Sequence, residues 1–511
     1  VGTVRLRLLL VAILSACPAP APSPDAGAPA TDGAWRASLY PEDWTPGFTD
    51  DAGRFLHDFS YAGYAAGLAE PPSPPPTVRL TPGPGDMTAL VQAHLDDGGV
   101  VLLGEGDWRF DGTLDLRHSH TVLRGEGPER TRLFFTRSVG LSYAEHVRVG
   151  ASPVLDGEWA LLADAEARVL TVRVADAGTL AAGDDVALGQ VITPAFVADH
   201  GMTGTWRAFN DTWQPFLWRR VVSVGGDEVT LDAPVRNTLR VRDGASLRKV
   251  TNLVREVGIE HLALTNAVEP GAAWSETQVA AVTLAGVTDG WVRGVRSFSL
   301  DGGAHLQSGG VRVHQSSRVT VVNTHLGRAQ HRGSGGNGYL FEVRQSSDVL
   351  FRDDLGEDGR HNFIQNWGFG TTGCVWLRVE SRGGFAEVTP GSTTGGIGYS
   401  EFHHSLATAN LIDSSRFDDG FSIINRRQES TGAGHTGTEN AFWNVSGDGL
   451  LRSMQFGHGY VLGTEGLAVA LDEVFIAEGT RPLDLAEGVD AGARLQPRSL
   501  YEDQLRRRRE R

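Results

Sequence analysis

Residues 86–110 read DMTALVQAHLDDGGVVLLGEGDWRF. Two periodicities meet in this stretch. Leu90, Val91, His94 and Leu95 fall at helical spacing, and Asp86 is placed to cap the first turn. Gly98 and Gly99 end the helix, residues 100–103 make a strand, and GEGDW turns the chain. GTLDLRHSHTVLRGEG at 112–127 adds two more short strands separated by turns.

A longer rhythm returns after residue 251. The segments VGIEHLALTN, DGWVRGVRSF, SRVTVVNTHL, SDVLFRDDLG, GCVWLRVESR, ANLIDSSRFD and ENAFWNVSGD each pair an apolar strand with polar turn residues. Ile259, Val292, Val319, Val349, Val375, Leu411 and Ala441 read as equivalent inward positions, 26–36 residues apart. Such periods without long helices indicate stacked β coils, since one coil alone cannot bury its face. The order helix, strand, turn, strand at 86–127 resembles the opening of pectate-lyase-superfamily proteins. The matching residues are Asp86, Thr88, Ala89, Gln92, Gly98, Gly99, Val100, Val101, Gly104, Gly106, Trp108 and Phe110, followed by LRGEG at 123–127. The resemblance implies an all-β fold: a right-handed parallel β-helix with an N-terminal capping helix. A β-propeller is the architectural alternative, and the cap helix and three-strand coils argue against it.

The rest of the chain is organised around that rod. Residues 1–17 combine Arg5 and Arg7, the apolar run LLLVAIL and LSAC, which reads as an export signal. LSAC resembles the bacterial lipobox, which implies Cys17 as the lipid attachment site and a lipid-anchored protein of the bacterial cell envelope; a plain secretory signal is the alternative. Residues 18–34 form a Pro/Ala-rich tether, and 35–85 an aromatic, then proline-rich, extended segment. The cap helix and first coils occupy 86–136. Glycine-containing hairpins at 137–250 read as an inserted β subdomain, whose tryptophans serve its own core or overhang a cleft. The main β-helix is expected over 251–484 and a C-terminal tail over 485–511, read as a solvated end. The 511 residues include 65 glycines, one lysine (Lys249), and a net charge of −16 that argues against a nucleic-acid partner. Oligomeric state is not legible. With Cys17 carrying the lipid, Cys374 has no cysteine partner and reads as a small buried residue.

Four polar clusters recur in successive coils: Arg360 to Asn366, Tyr399 to Ser405, Asp418 to Gln428, and Thr431 to Asn444. Stacking coils roughly 5 Å apart would bring them onto one outer face. Alternation puts His361, Phe363, Gln365 and Trp367 on one side of a strand, and Asn362, Ile364 and Asn366 on the other as a structural ladder.

The family resemblance implies cleavage of an acidic polysaccharide by β-elimination. A lyase must neutralise the uronate carboxylate and place a base near the C5 proton. The candidate catalytic residues are His361, Arg360, His404, Arg427, His435 and Tyr399. Asn425, Arg426, His403, Gln365 and Trp367 are candidate substrate-binding residues, with Arg426 and Arg427 suited to gripping carboxylates. No metal ligands are assigned. Calcium is the ion that the runs Asp353, Asp354, Glu357, Asp358 and Asp418, Asp419 would take if they converged, and zinc through His403, His404 and His435 lacks the usual spacing. Two alternatives stand: a glycoside hydrolase using Asp418 and Asp419, or a non-catalytic glycan-binding or surface-display rod.

Overall fold

The structure is a computed structural model that describes residues 33–471 and 484–511. The signal, Cys17 and nearly all of the tether lie outside the described residues. The chain is a right-handed parallel β-helix with three sheets along its sides. The first runs from Val78–Leu80 through Val254–Glu260 and Val375–Leu377 to Leu485–Glu487. The second runs from Gly106–Phe110 to Arg416–Phe417, and joins the first where Arg416 pairs with Ser446. The third has 10 strands, from Leu114–Leu116 to Ala468–Ala470.

The cap helix spans Thr88–Asp97 and buries Val91 and Leu95 over the first coil, while Leu90, expected on the same face, is 45% exposed. Met87 is the capping position and makes no side-chain cap; Asp86 instead accepts from the Thr88 amide at 2.9 Å. Gly98 and Gly99 follow with φ of 77° and 81°, a region costly for residues with a Cβ.

The inner ladder of the first sheet runs Ile259, Val292, Val321, Phe351, Trp376, Ile412, Phe442, Val461. The sequence alignment is two residues early at Val319 and Val349, which stay on the inner face, and slips by one residue at Val375, Leu411 and Ala441. These pair with Leu350 and with one another on the outer side of the sheet. A one-residue slip exchanges faces. The slip arises because this outer face is buried too: Tyr40, Trp44, Leu56 and Phe59 from the N-terminal segment, with Leu500 and Tyr501, pack over Leu350, Val375, Leu411, Ala441 and Trp443. Apolar residues on both sides erase the alternation that sets register.

Leu500 and Tyr501 belong to a helix, Leu500–Glu510, so the tail is not a solvated end. Ser499 caps it by accepting from the Glu502 amide at 3.1 Å. Asp413 of the first sheet accepts from the Tyr501 amide and the Ser499 hydroxyl, each at 2.8 Å.

The insertion starts later than expected, because Glu145–Gly150 is a strand of the third sheet. The excursion itself is a six-stranded antiparallel sheet within 154–251. Trp206, Phe216 and Leu217 form its core together with Phe369 of the helix coils. The coil succession also runs past 484, since Leu485–Glu487 pairs with Tyr460–Leu462.

Candidate active site

Three of the four polar clusters lie on successive strands of the third sheet. His361–Gln365 pairs with Tyr339–Arg344 on one side and with Ser400–Phe402 on the other, and Phe421–Ile423 follows. The fourth cluster departs: after residue 424 the chain leaves the sheet, pairs Asn425 with His435 in an antiparallel bridge, and returns on the first sheet. The strand at 361 starts where the Arg360 and His361 amides both donate to the Gly338 carbonyl, at 2.7 and 3.2 Å.

An open cleft of about 630 Å³ lies over this face. Tyr339, Arg344, Arg360, Trp367, His403 and Arg426 line it. Two carboxylates lie in the sheet beneath: Glu342 stands opposite Ile364, and Ile364 opposite Glu401, so the two are two coil spacings, roughly 10 Å, apart. Burial pushes the Glu342 carboxyl upward, but Arg344 and Arg312, at 2.6 and 2.7 Å, hold it down at about 2. Burial also pushes Glu401 up, and the positive charge around it, permanent on the Arg426 guanidinium and present on His361 and His403 only when they are protonated, more than offsets it, keeping it well below the carboxylate range.

The four candidate histidines separate sharply. His361 is buried, with Nδ1 2.6 Å from the Tyr399 carbonyl; Nε2 has no hydrogen-bond partner among the described residues and lies 3.5 Å from Glu401 Oε1. Burial lowers it to about 3. His404 lines the cleft edge-on to Trp367 at 4.6 Å, has both ring nitrogens buried and, among the described residues, unpartnered, and is lowered to about 3 by burial. His435 is not in the cleft. It packs against Phe456, its amide meets Met202 of the insertion, and burial lowers it to about 4. His403 touches Glu401 Oε1 through Nδ1 and lines the cleft. Burial lowers its affinity for a proton, so the ring is neutral at pH 7.

The remaining candidates divide as follows. Arg360 lines the cleft and donates to the Gly333 carbonyl at 2.9 Å; among the described residues it pairs with no carboxylate. Arg426 donates to Glu401 at 2.8 Å and to Ser430 at 3.1 Å, with Nη1 also 2.9 Å from His403 Nδ1. Trp367 stands between His404 and Phe209 of the insertion, so one edge of the cleft is aromatic. Tyr399 contributes its carbonyl to His361, while its ring lies under Arg452. Arg427 is exposed at a turn with φ 49°, and Asn425 accepts from its amide; neither lines the cleft. Gln365 is wholly buried in the sheet.

Nor do the expected sides of the strand hold throughout. Phe363 stacks on Phe341 in the core, and Asn362 turns inward to Ser381 and Asp419. Asn366 binds Glu342, and the ladder proper is Asn410 on Asn440. Asp419 faces the interior, where burial raises it to about 6, and Asp418 pairs with Arg416 at 2.7 Å; neither reaches the cleft. The other acidic run disperses: Asp353 pairs with Arg378, Glu357 with Arg382 and His325, and Asp354 is buried.

Sequence reading passed over Glu401, Glu342 and Tyr339. Glu401 had a signal: two residues before His403 on a strand places both on one face. Tyr339 and Glu342 precede the clusters by a coil and carried none.

No family model and no curated protein matches the sequence. Among solved structures, the chain is similar to the gp61 tailspike of Pseudomonas phage phi297, at 14% identity and a TM-score of 0.39 over 78% of this chain and 72% of that one. It is similar to the gp54 tailspike of Acinetobacter baumannii bacteriophage AP22, solved in complex with A. baumannii capsular saccharide, at 12% and 0.42 over 79% and 67%. It is also similar to an exopolygalacturonase from Thermotoga maritima, at 10% and 0.35 over 82% and 81%. These levels carry no argument about the site.

Proposed function

We propose that this chain is an exported, envelope-associated polysaccharide lyase that cleaves an acidic glycan by β-elimination in the cleft over the third sheet. The observation that carries the reading is the pairing of His403, a neutral imidazole at the cleft held by Glu401, with Arg360, a cleft guanidinium that pairs with no carboxylate among the described residues.

The roles follow from charge. Arg360 receives the uronate carboxylate, which makes the adjacent C5 proton more acidic. Glu401 accepts a hydrogen bond from His403 Nδ1–H in the tautomer that leaves the Nε2 lone pair as the base, and it stabilises the imidazolium that forms; in that tautomer Arg426, which can only donate, bonds Glu401 and not Nδ1. Tyr339, pushed up to about 12 by burial, keeps its proton at neutral pH and is the candidate donor to the departing glycosidic oxygen. Trp367 supplies a platform for a sugar ring.

A hydrolase needs one carboxyl kept protonated opposite a second that is ionised. Glu342 and Glu401 are both held ionised by arginine, which disfavours that pairing. Incubation with pectic, alginate and glycosaminoglycan polymers tests the reading. New ultraviolet absorbance from a C=C bond together with new reducing ends is expected. Reducing ends without that absorbance would replace the lyase with a hydrolase, and neither signal with bound polymer would leave a binding rod.

A further inference from the structure

We infer that His361, Glu401 and His403 form a binding site for a divalent first-row transition-metal ion, at a position where the Arg426 guanidinium now supplies the positive charge. One ligand atom from each of the three residues lies within 4.8 Å of the other two, and all three side chains are buried. Donors about 2.0–2.2 Å from a shared ion are separated by roughly 3–4 Å, so only small side-chain rotations are required.

The strongest sign is His361. Its Nδ1 meets a backbone carbonyl, which can only accept, so the ring hydrogen is on Nδ1 and Nε2 carries a lone pair. That lone pair is buried, has no donor, and faces Glu401 Oε1 at 3.5 Å. Two acceptors facing each other in a water-poor pocket repel unless a cation lies between them. A ring nitrogen tied to a carbonyl, with the other aimed at a carboxylate, is also how metal-binding histidines are oriented. Two neutral imidazoles and a carboxylate suit Zn2+, Co2+ or Fe2+ and are a poor set for Ca2+, which takes oxygen ligands.

Arg426 is the competitor. Its Nη1 lies 2.8 Å from Glu401 and 2.9 Å from His403 Nδ1. It projects from the excursion after residue 424, where among the described residues its side chain bonds Ser430 alone, so it can swing into the cleft when an ion enters. Metal binding through His403 Nδ1 moves that ring's proton to Nε2. Under the lyase reading, on which this consequence alone rests, the base becomes a proton donor and elimination stops.

The test uses the full chain, free of any polyhistidine tag and stripped of metal, titrated with Zn2+ by calorimetry and with Co2+ by visible absorption. One ion per chain is expected, with d–d bands of nitrogen ligation. H361Q, H403Q and E401Q should each weaken binding by about tenfold or more. R426Q should strengthen it, a gain that misfolding cannot imitate. Absence of binding in both the native chain and R426Q, or binding that H361Q leaves unchanged, overturns the site. Elimination that persists with the ion bound counts against His403 as the base and leaves the site standing. Elimination without any metal binding does the reverse.

Discussion

Arg360, just before one strand of the third sheet, and His403, just after the next, both line the cleft, and each carries a separable part of the proposed chemistry. H403Q removes the base and keeps the volume, so the rate of C=C formation should fall by about 10²–10⁴-fold with polymer binding retained. R360Q should act differently. It should raise KM and lower kcat/KM on a polyuronate, with a much smaller effect on the methyl-esterified polymer, whose carboxyl has no charge to neutralise. H435Q should leave turnover nearly unchanged, because His435 lies outside the cleft. The sequence brought these residues to notice through the density of His and Arg, and three of the four clusters do stack. It could not say which ring nitrogen reaches solvent. That depends on packing by Trp367, Phe456 and Met202, which are distant from the respective histidines in sequence or belong to other elements.

At the scale of single elements, the C-terminal helix depends on one carboxyl. Burial raises Asp413 to about 7, against about 3.9 for an exposed aspartate. Between those values the folded chain keeps a proton that the unfolded chain has released. The contribution to stability is therefore full below about pH 4 and declines as pH rises toward 7. D413N keeps a neutral acceptor and should remove this decline, so the melting temperature of D413N relative to the native chain should climb from pH 4 to 7. Calorimetric scans across that range check the sign. Y501A, which empties a buried site against the first sheet, should cost about 3–5 kcal/mol in denaturant titrations. The coil rhythm that predicts this architecture was legible because the inner ladder is apolar throughout. The exact register was not, because Val375, Leu411 and Ala441 are covered by residues hundreds of positions away.

The whole molecule carries a formal charge of −16, yet Arg344, Arg360 and Arg426 line its cleft. An acidic polymer is repelled at long range and attracted locally, and salt weakens both effects over a Debye length of about 8–10 Å. Because Glu342 and Glu401 already pair with Arg344 and Arg426, Arg360 is the cleft arginine with charge to spare. KM should therefore rise with ionic strength in the native chain, with a shallower slope in R360Q; steady-state assays over a salt series measure both.

The contacts between the two chain ends also impose an order in time. Trp35 donates to the Ala491 carbonyl at 2.9 Å, the Phe59 amide donates to Gln504 Oε1 at 2.8 Å, and the Tyr501 hydroxyl donates to the Ala62 carbonyl at 2.8 Å. The surface that shelters Tyr40, Trp44 and Phe59 is built from strands between Leu350 and Leu462 and from the final helix. At roughly 5–20 residues per second, the first of these aromatics leave the ribosome about 20–90 s before the last of their partners exists. During that interval the early segment is an apolar ribbon without a dock, exposed to pairing elsewhere until the last helix is made.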